Sequence, residues 1–572
     1  MPNEIYLLTK TEKMKRKLLL SLSAALLSAS LMAGGIMTNT NQSAAYVRLL
    51  ARNASLGIDG VYYNPAGLTK LGNGFHLSLN NQSIFQTKDV TNDYQYLHDS
   101  PNAKYTGDVK APLFPGIYAA YKVNKFAFSF GFNPVGGGGG ATYAKGLPSF
   151  EMPISDLVPK LAPKSETDPN YKITDYKADI NFEGTSVYFG YQAGVSYEIN
   201  PAISVFAGLR YVTAKNTYKG AITDIMINPS TPNLPYLGPS YNGAFMRADL
   251  FGTEQATYYT GVATSYTTAA QKSADIIAYN ASLGSLSFAQ AKAAGVPITD
   301  EELAKLEFGL QAAGFDKATP IATAQVVYTS AASKATSGAV QMTGLAAQTG
   351  DAEVDVLQKG TGFTPILGAN LTLAEKLTIA IKYEFLTKIE LTNETKVDGT
   401  GSFPDGEVSR ADMPALLSIG ASYPLTDKLT ASLGMNYYFD KSADYNVKDT
   451  LGNHVPNSSV IDKNNWELAF GLEYNLTDKF LLSGGYLRAQ TGVTKDYQND
   501  LTNELSSNTV GLGGQYKFSP AIALNLGALY TMYSDDSKTF NHKLGNMYIP
   551  VNETYSRATW LVSIGLDITI GK

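Results

Sequence analysis

His98, Asp99 and Ser100 stand side by side, and they are the three residue types of a hydrolytic triad. Three adjacent positions in one loop have the wrong geometry for it, because nucleophile, base and orienting carboxylate must meet in line through space. The chain has 4 histidines, His76, His98, His454 and His542, without HxxH or HExxH spacing. They read as isolated surface or lumen histidines rather than zinc ligands. Cysteine is absent, which removes disulfides, thiolate metal sites, a cysteine nucleophile and a lipid-anchored N-terminal cysteine. A glycine run, Gly136 to Gly140, follows Asn133-Pro134, but no Gly-Lys-Ser/Thr completes a phosphate loop. No catalytic residue, metal site or cofactor is expected, and the chain does not read as an enzyme.

The elements that carry these residues are strands. The 572 residues hold 50 acidic and 45 basic side chains, a net charge of −5, so nucleic acid is not an expected partner. Tyrosine (37) and glycine (52) are abundant, which suits β-structure in a sandwich or a barrel. Met14-Lys15-Arg16-Lys17, an apolar run from Leu18 to Leu31 and the small residues Ala29, Ser30, Ala33 and Gly34 form the pattern of a secretory signal peptide. Residues 1–33 are therefore expected to be a signal whose true start is Met14, and the mature chain to lie beyond the inner membrane.

From Gly74 onward the dominant period is two. Phe75, Leu77 and Leu79 alternate with His76, Ser78 and Asn80, and Trp560, Val562, Ile564, Leu566, Ile568 and Ile570 close the series. About fourteen such segments follow one another, an even number. Their connections alternate between short turns, such as Thr426-Asp427-Lys428 and Thr477-Asp478-Lys479, and long stretches. The long ones cover roughly 88–114, 134–183, 216–362, 387–413, 440–463, 490–505 and 534–556. A soluble sandwich has no reason for that asymmetry, whereas a transmembrane barrel has tight periplasmic turns and long outer loops. The alternate face carries Ser204, Gly208 and Arg210, Ser432, Gly434 and Asn436, Glu467, Gly471 and Glu473, and Ser563, Gly565 and Asp567. That set predicts a hydrated, polar lumen, with the apolar set facing lipid. Tyr191, Tyr197, Tyr423, Tyr474 and Tyr516 fall near strand ends, where an aromatic girdle belongs.

The insertion at 216–362 carries helical signals. Thr299 and Glu302 read as a capping box, Leu303, Leu306 and Leu310 share one face, and Gly314 can end the helix. The stretches 286–294 and 322–347 are also helix-prone. A partly helical outer cap is expected.

Residues 34–72 precede the first strand without period-two alternation, and Val61, Tyr62, Tyr63 and Leu68 point to packing rather than a tail. A barrel of this size leaves an open lumen unless something fills it, so this segment is expected to plug it. The run from Ala54 to Leu68, with Asn64-Pro65-Ala66, resembles the hatch of the FadL/TodX family of outer-membrane transporters, and Asn41-Gln42-Ser43 resembles that family's stretch near the mature N-terminus. The resemblance implies an all-β fold: a fourteen-stranded antiparallel barrel over residues 73–572, closed by a hatch built on Asn64, Pro65 and Ala66. It implies passive transport of long-chain fatty acids or similar hydrophobic compounds across a bacterial outer membrane, by a monomer in contact with outer-membrane lipid. The chain departs from the family in its long insertion and in ending on Ile570-Gly571-Lys572 rather than an aromatic.

Phe126, Phe128, Phe130 and Phe132 form an unusually apolar strand that Asn133, Pro134, Gly136 and Gly137 interrupt. Proline removes a ladder donor and glycine removes side chains. One reading is that the strand ends there and a loop begins. The resemblance gives another, a kink in the third strand that opens the wall for sideways release into lipid. Arg210 and Lys382 are candidates by strand phase to pair with a ligand carboxylate. A general diffusion porin and an adhesin-type barrel remain the alternatives.

Overall fold

A computed structural model describes residues 43–161, 172–230, 240–448 and 453–571. The expected signal peptide, 1–33, the first part of the expected hatch and Asn41-Gln42 lie outside the described residues. The chain divides into two compact units, a barrel and a helical insertion.

In the barrel, β1 (Gly74–Asn92), β2 (Ala103–Val123), β3 (Phe126–Tyr143), β4 (Tyr176–Asn200) and β5 (Ile203–Ile227) precede the insertion, which carries the two-residue β6 (Met246–Arg247). After it come β7 (Ala352–Leu373), β8 (Leu377–Glu384), β9 (Glu390–Asp398), β10 (Val408–Arg410), β11 (Leu416–Pro424) and β12 (Leu429–Tyr438). The last six are β13 (Trp466–Asn475), β14 (Phe480–Gln490), β15 (Ser507–Ser519), β16 (Ile522–Tyr533), β17 (Asp536–Leu544) and β18 (Met547–Ile570). β6, β9, β10 and β17 are short arms, and the other fourteen strands close an antiparallel ring. β1 seals it, pairing with β18 from Phe75↔Ile570 to Asn92↔Glu553 and with β2 on its other edge.

The apolar alternation faces outward. Phe126, Phe128 and Phe130 are 44, 48 and 45% exposed, a pattern that only a nonaqueous surround satisfies along so many strands. Two aromatic bands border this apolar belt. Phe126 packs on Tyr197 at the short-turn end, while Phe85 stacks on Trp560 at 4.0 Å and Tyr211 meets Phe363 at the other. No helix among the described residues is long and apolar enough to cross a membrane.

The strands run further than their alternation indicates. The expected loop at 534–556 is largely the β17–β18 hairpin, with Gly545 at positive φ in its turn. β5 continues to Ile227 and β7 begins at Ala352. β3 does not stop at Asn133-Pro134 but passes through the glycines to Tyr143. Beyond the apolar band the backbone ladder persists and the period of two inverts: on β2 Ala103, Tyr105 and Val109 are buried while Lys104, Thr106, Asp108 and Lys110 are exposed, so these stretches lack the lipid-facing apolar signal.

The helical unit has its own core. Helix Ala248–Tyr279 lies antiparallel to helix Ile321–Gln348: Gly252 backs onto the Ala346 backbone, and the Tyr259 ring lies over Gly338. Ile276, Phe288, Leu306, Leu310 and Tyr328 pack together. Thr299 and Glu302 form the expected capping box of helix Asp300–Ala312, and Gly314 takes positive φ just beyond its end.

Candidate functional site

The chain before β1 sits inside the ring. Ser43 caps a short helix, Ala44–Arg48, and from there to Ala54 the backbone lies flat on the wall. It can do so because Gly420, Gly434, Gly471, Gly485, Gly511 and Gly527 line its path on consecutive strands β11 to β16. A Cβ on Gly420 would fall 2.5 Å from the Ala54 amide nitrogen, and one on Gly511 2.4 Å from the Val47 carbonyl oxygen. Arg48 anchors this half: Nη1 donates to Glu473 Oε2 (2.7 Å) and Ser483 Oγ (2.8 Å), and Nε to Asn525 Oδ1 (3.2 Å). Asn53 Nδ2 donates to Asn436 Oδ1 at 2.9 Å. At this level the lumen is therefore packed rather than hydrated as its polar composition predicts. Gly434, Asn436, Gly471 and Glu473 are seats for the plug.

A turn tied by one ion pair follows. Arg52 forks onto Asp59, with Nε to Oδ2 at 2.7 Å and Nη2 to Oδ1 at 2.8 Å, and Ser55 Oγ donates to the same carboxylate at 2.6 Å. Burial works against the Asp59 charge, but the Arg52 guanidinium outweighs it and holds the carboxyl below the usual carboxylate range.

The second half is held through its carbonyls. Gln192 Nε2 donates to the Val61 carbonyl (2.7 Å), Lys382 Nζ to Tyr62 (2.7 Å), Ser196 Oγ to Pro65 (2.6 Å) and Ser204 Oγ to Ala66 (2.7 Å). Asn64 caps the 3₁₀ turn Pro65–Lys70 by accepting from the Gly67 amide, and its Nδ2 donates to Asn370 Oδ1 on β7 at 2.8 Å. Pro65 takes the first helical position, where its missing N–H costs nothing. Ala66 is fully buried in a cluster with Phe206 and Ile366.

Arg210 and Lys382 face the lumen and share one carboxylate. Arg210 is 1% exposed, its Nη1 and Nη2 on Glu384 Oε2 (2.5 Å) and Oε1 (3.1 Å). Lys382 Nζ is 2.7 Å from Glu384 Oε1. Arg210 also orients Gln192 through its Oε1 (2.7 Å), and the Tyr62 ring lies over both cations. Sequence reading missed Glu384. The signal was present, since Lys382 and Glu384 share the inward phase of β8.

Asn133, Pro134, Gly136 and Gly137 lie where the pairing of β2 with β3 is interrupted. β2 and β3 pair from Val123↔Phe126 to Ile117↔Phe132, and the ladder resumes only at Asp108↔Thr142. Between these rungs β3 stays with β4 through bulges at Pro134/Gly136 and Gly136/Gly139 and leaves β2. Gly137, at φ +86°, has no room for a Cβ, which would fall 2.4 Å from the Ser186 carbonyl oxygen. Val135 turns inward against Gly190. The facing edge of β2 carries Pro112 and Pro115, which cannot donate to a ladder, and Leu113, 78% exposed. Pro112 was missed because the alternation assigned 88–114 to a loop, and Pro115 because it falls between that stretch and the strand signal that begins at Ile117.

The four histidines lie apart, each in its own surroundings. His76 bonds Thr569 and Gly72, His98 lies 3.8 Å from Glu151, His454 is 3.0 Å from Asp444, and His542 packs edge-on against Tyr94. No cluster of metal-ligating residues occurs among the described residues.

The structure superposes on a Pseudomonas aeruginosa FadL homologue with a TM-score of 0.53 at 13% identity, covering 94% of this chain and 100% of that one. The fold is a FadL-type barrel. The Pseudomonas putida toluene transporter TodX aligns with a TM-score of 0.45 at 13% identity over 93% of this chain and 99% of that one. The Ralstonia pickettii toluene transporter TbuX gives 0.42 at 12% identity over 95% of this chain and 100% of that one. No family model and no curated protein matches the sequence. At such identities the likeness is one of fold. Within that fold this chain has a plug seated on glycines and held by donated hydrogen bonds, and an interrupted β2–β3 ladder beside it.

Proposed function

We propose that the chain carries long-chain fatty acids or similar hydrophobic compounds across a bacterial outer membrane, by passive diffusion and as a monomer. The observation that carries this reading is the seam between residues 109–116 of β2 and 133–141 of β3 beside a lumen that the plug closes. An acyl chain that entered the periplasm through the base would pay about 0.8 kcal/mol for each CH₂ wetted. Leaving sideways into lipid avoids that cost. An apolar recess lined by Phe150, Phe182, Ile222 and Val354 at the long-loop end offers cargo a first dry surface. The plug segment around Asn64-Pro65-Ala66 then shifts to let it reach the seam, with Arg210, Lys382 and Glu384 returning the plug to its seat.

The absence of cysteine makes the test clean. Val61 Cγ1 lies 3.0 Å from where a Cβ on Gly131 would stand, close enough for a disulfide. A Val61→Cys/Gly131→Cys protein is expressed in cells lacking their own transporter. Labelled palmitate uptake is expected to stop on oxidation and return with dithiothreitol at equal surface levels. Equal uptake in both states would remove the moving plug from the account.

A further inference from the structure

Two polar side chains interrupt the apolar belt on its lipid-facing side. On β1 the outward phase runs Phe75, Leu77, Leu79, Asn81, Ser83 and Phe85, and β18 sets the exposed Ile564 and Val562 opposite Asn81 and Ser83. An asparagine and a serine at this height must find their partners within the protein, because lipid offers none. They find them on one short stretch of β2 backbone. Asn81 Nδ2 donates to the Pro112 carbonyl (3.2 Å), and the Phe114 amide donates to Asn81 Oδ1 (3.0 Å). Ser83 Oγ donates to the same Pro112 carbonyl (2.9 Å). The register between β1 and β2 slips here: Gln82 faces Phe114 and Ile84 faces Ala111, so Pro112 and Leu113 share the place opposite Ser83. An extra residue of this kind bends its strand. On the lumen side of the same rung Gln82 is fully buried, with neither amide atom paired among the described residues. The side chains that hold the stretch therefore come from the lipid side.

The held stretch is the one that β3 leaves. β2 pairs with β3 up to Ile117↔Phe132 and again from Asp108↔Thr142, and residues 112–114 lie midway along the interruption. A strand edge without a neighbour presents amides and carbonyls that lipid cannot satisfy. Such an edge closes onto the next strand unless something else takes those groups. Here Pro112 and Pro115 have no N–H to present, and Asn81 and Ser83 take the Pro112 carbonyl and the Phe114 amide. We propose that Asn81 and Ser83 are positioning residues for sideways release: by clamping 112–114 of β2 to β1 they keep that edge away from β3, so that the interruption stands as a fixed opening in the wall. The inference rests on the transport reading above and goes beyond it, since the wall is then held open by its own residues and the plug alone moves.

The test reads the wall and the transport separately. Spin labels at Leu113→Cys and Thr142→Cys report the separation across the interruption in purified protein in lipid nanodiscs, without competing native cysteines. Initial rates of labelled palmitate uptake over a concentration series report transport in cells lacking their own transporter. Asn81→Leu/Ser83→Ala frees the Pro112 carbonyl and the Phe114 amide, and is expected to shorten and broaden the label distance. At equal surface levels the maximal uptake rate is expected to fall about fivefold, the scale of one lost hydrogen bond. The half-saturating concentration is expected to stay within about twofold, because capture at the outer end is untouched. Ser83→Thr keeps the hydroxyl and is expected to keep both the distance and the rate. Ser83→Ala alone is expected to give smaller changes in the same direction, which keeps the test decisive where the double variant does not reach the surface. A wild-type label distance in these variants, or a wild-type maximal rate, would overturn the clamp. So would a fall in maximal rate matched by a rise in the half-saturating concentration. Wild type that takes up no palmitate, with the label distance shifting as expected, would overturn the transport reading and leave the clamp standing.

Discussion

Arg210 with Lys382, and Lys88 with Arg557, are two cation pairs on the same inner wall, finished in opposite ways. The lower pair is buried, shares Glu384, and spends its remaining donors on Gln192 and the plug. The upper pair, cross-strand partners on β1 and β18, is half-buried and leaves Lys88 without a partner among the described residues. The lesson is that lumen charge alone does not mark a ligand site. A cation whose hydrogen bonds are complete is part of the lock, and one whose bonds are incomplete locks nothing.

The comparison can be broken most forcefully at Glu384. Glu384→Ala strands two buried cations, and about 3–5 kcal/mol of stability is expected to go with it. A lowered heat-unfolding temperature and faster proteolysis of the plug would record the loss. A near-neutral result would mean the lower pair is not a lock. The next effect is pH-dependent and belongs to Arg52–Asp59. A carboxyl held below its ordinary value, ~3.9, stabilises at every pH above that value and loses its contribution as pH falls through the lower folded value. Plug protection against protease is therefore expected to be flat from about pH 8 to 5 and to fall only in stronger acid. Loss near pH 6 would contradict the pair's role. The smallest effect is at Lys88. Lys88→Ala removes no bond, so stability is expected to stay within about 0.5 kcal/mol of wild type in the same unfolding assay.

The barrel was legible because it repeats. Each strand signal is weak, but outward Phe126, Phe128 and Phe130 or Leu468, Phe470 and Leu472 recur with the same period around the ring. Asn64-Pro65-Ala66 was legible as a packed turn, its residue types matching their places as cap, first helical position and buried small residue. Arg210 and Lys382 were legible as lumen residues, though the carboxylate that joins them was not singled out. Residues beyond the apolar band were not legible, since there the outward face turns polar and the buried apolar residues, such as Tyr105 and Val109 or Ile180 and Phe182, point inward, opposite to the lipid-facing pattern. Helix Ala248–Tyr279 was missed for a related reason: its threonines, tyrosines and glycines are weak helix formers, and it owes its form to packing against Ile321–Gln348. The capped helix at Asp300 was found because its start signal is local. The pairing of Lys88 with Arg557 joins residues from opposite ends of the chain, which only ring closure brings together.

The central claim is that cargo lies in the seam between β2 and β3, beside a seated plug. The most direct measurement is a crystal structure of the protein with palmitate brominated at its chain end. The account places the bromine signal along the seam between 109–116 and 133–141. A bromine signal on the barrel axis beneath the plug, with the seam empty, would contradict it.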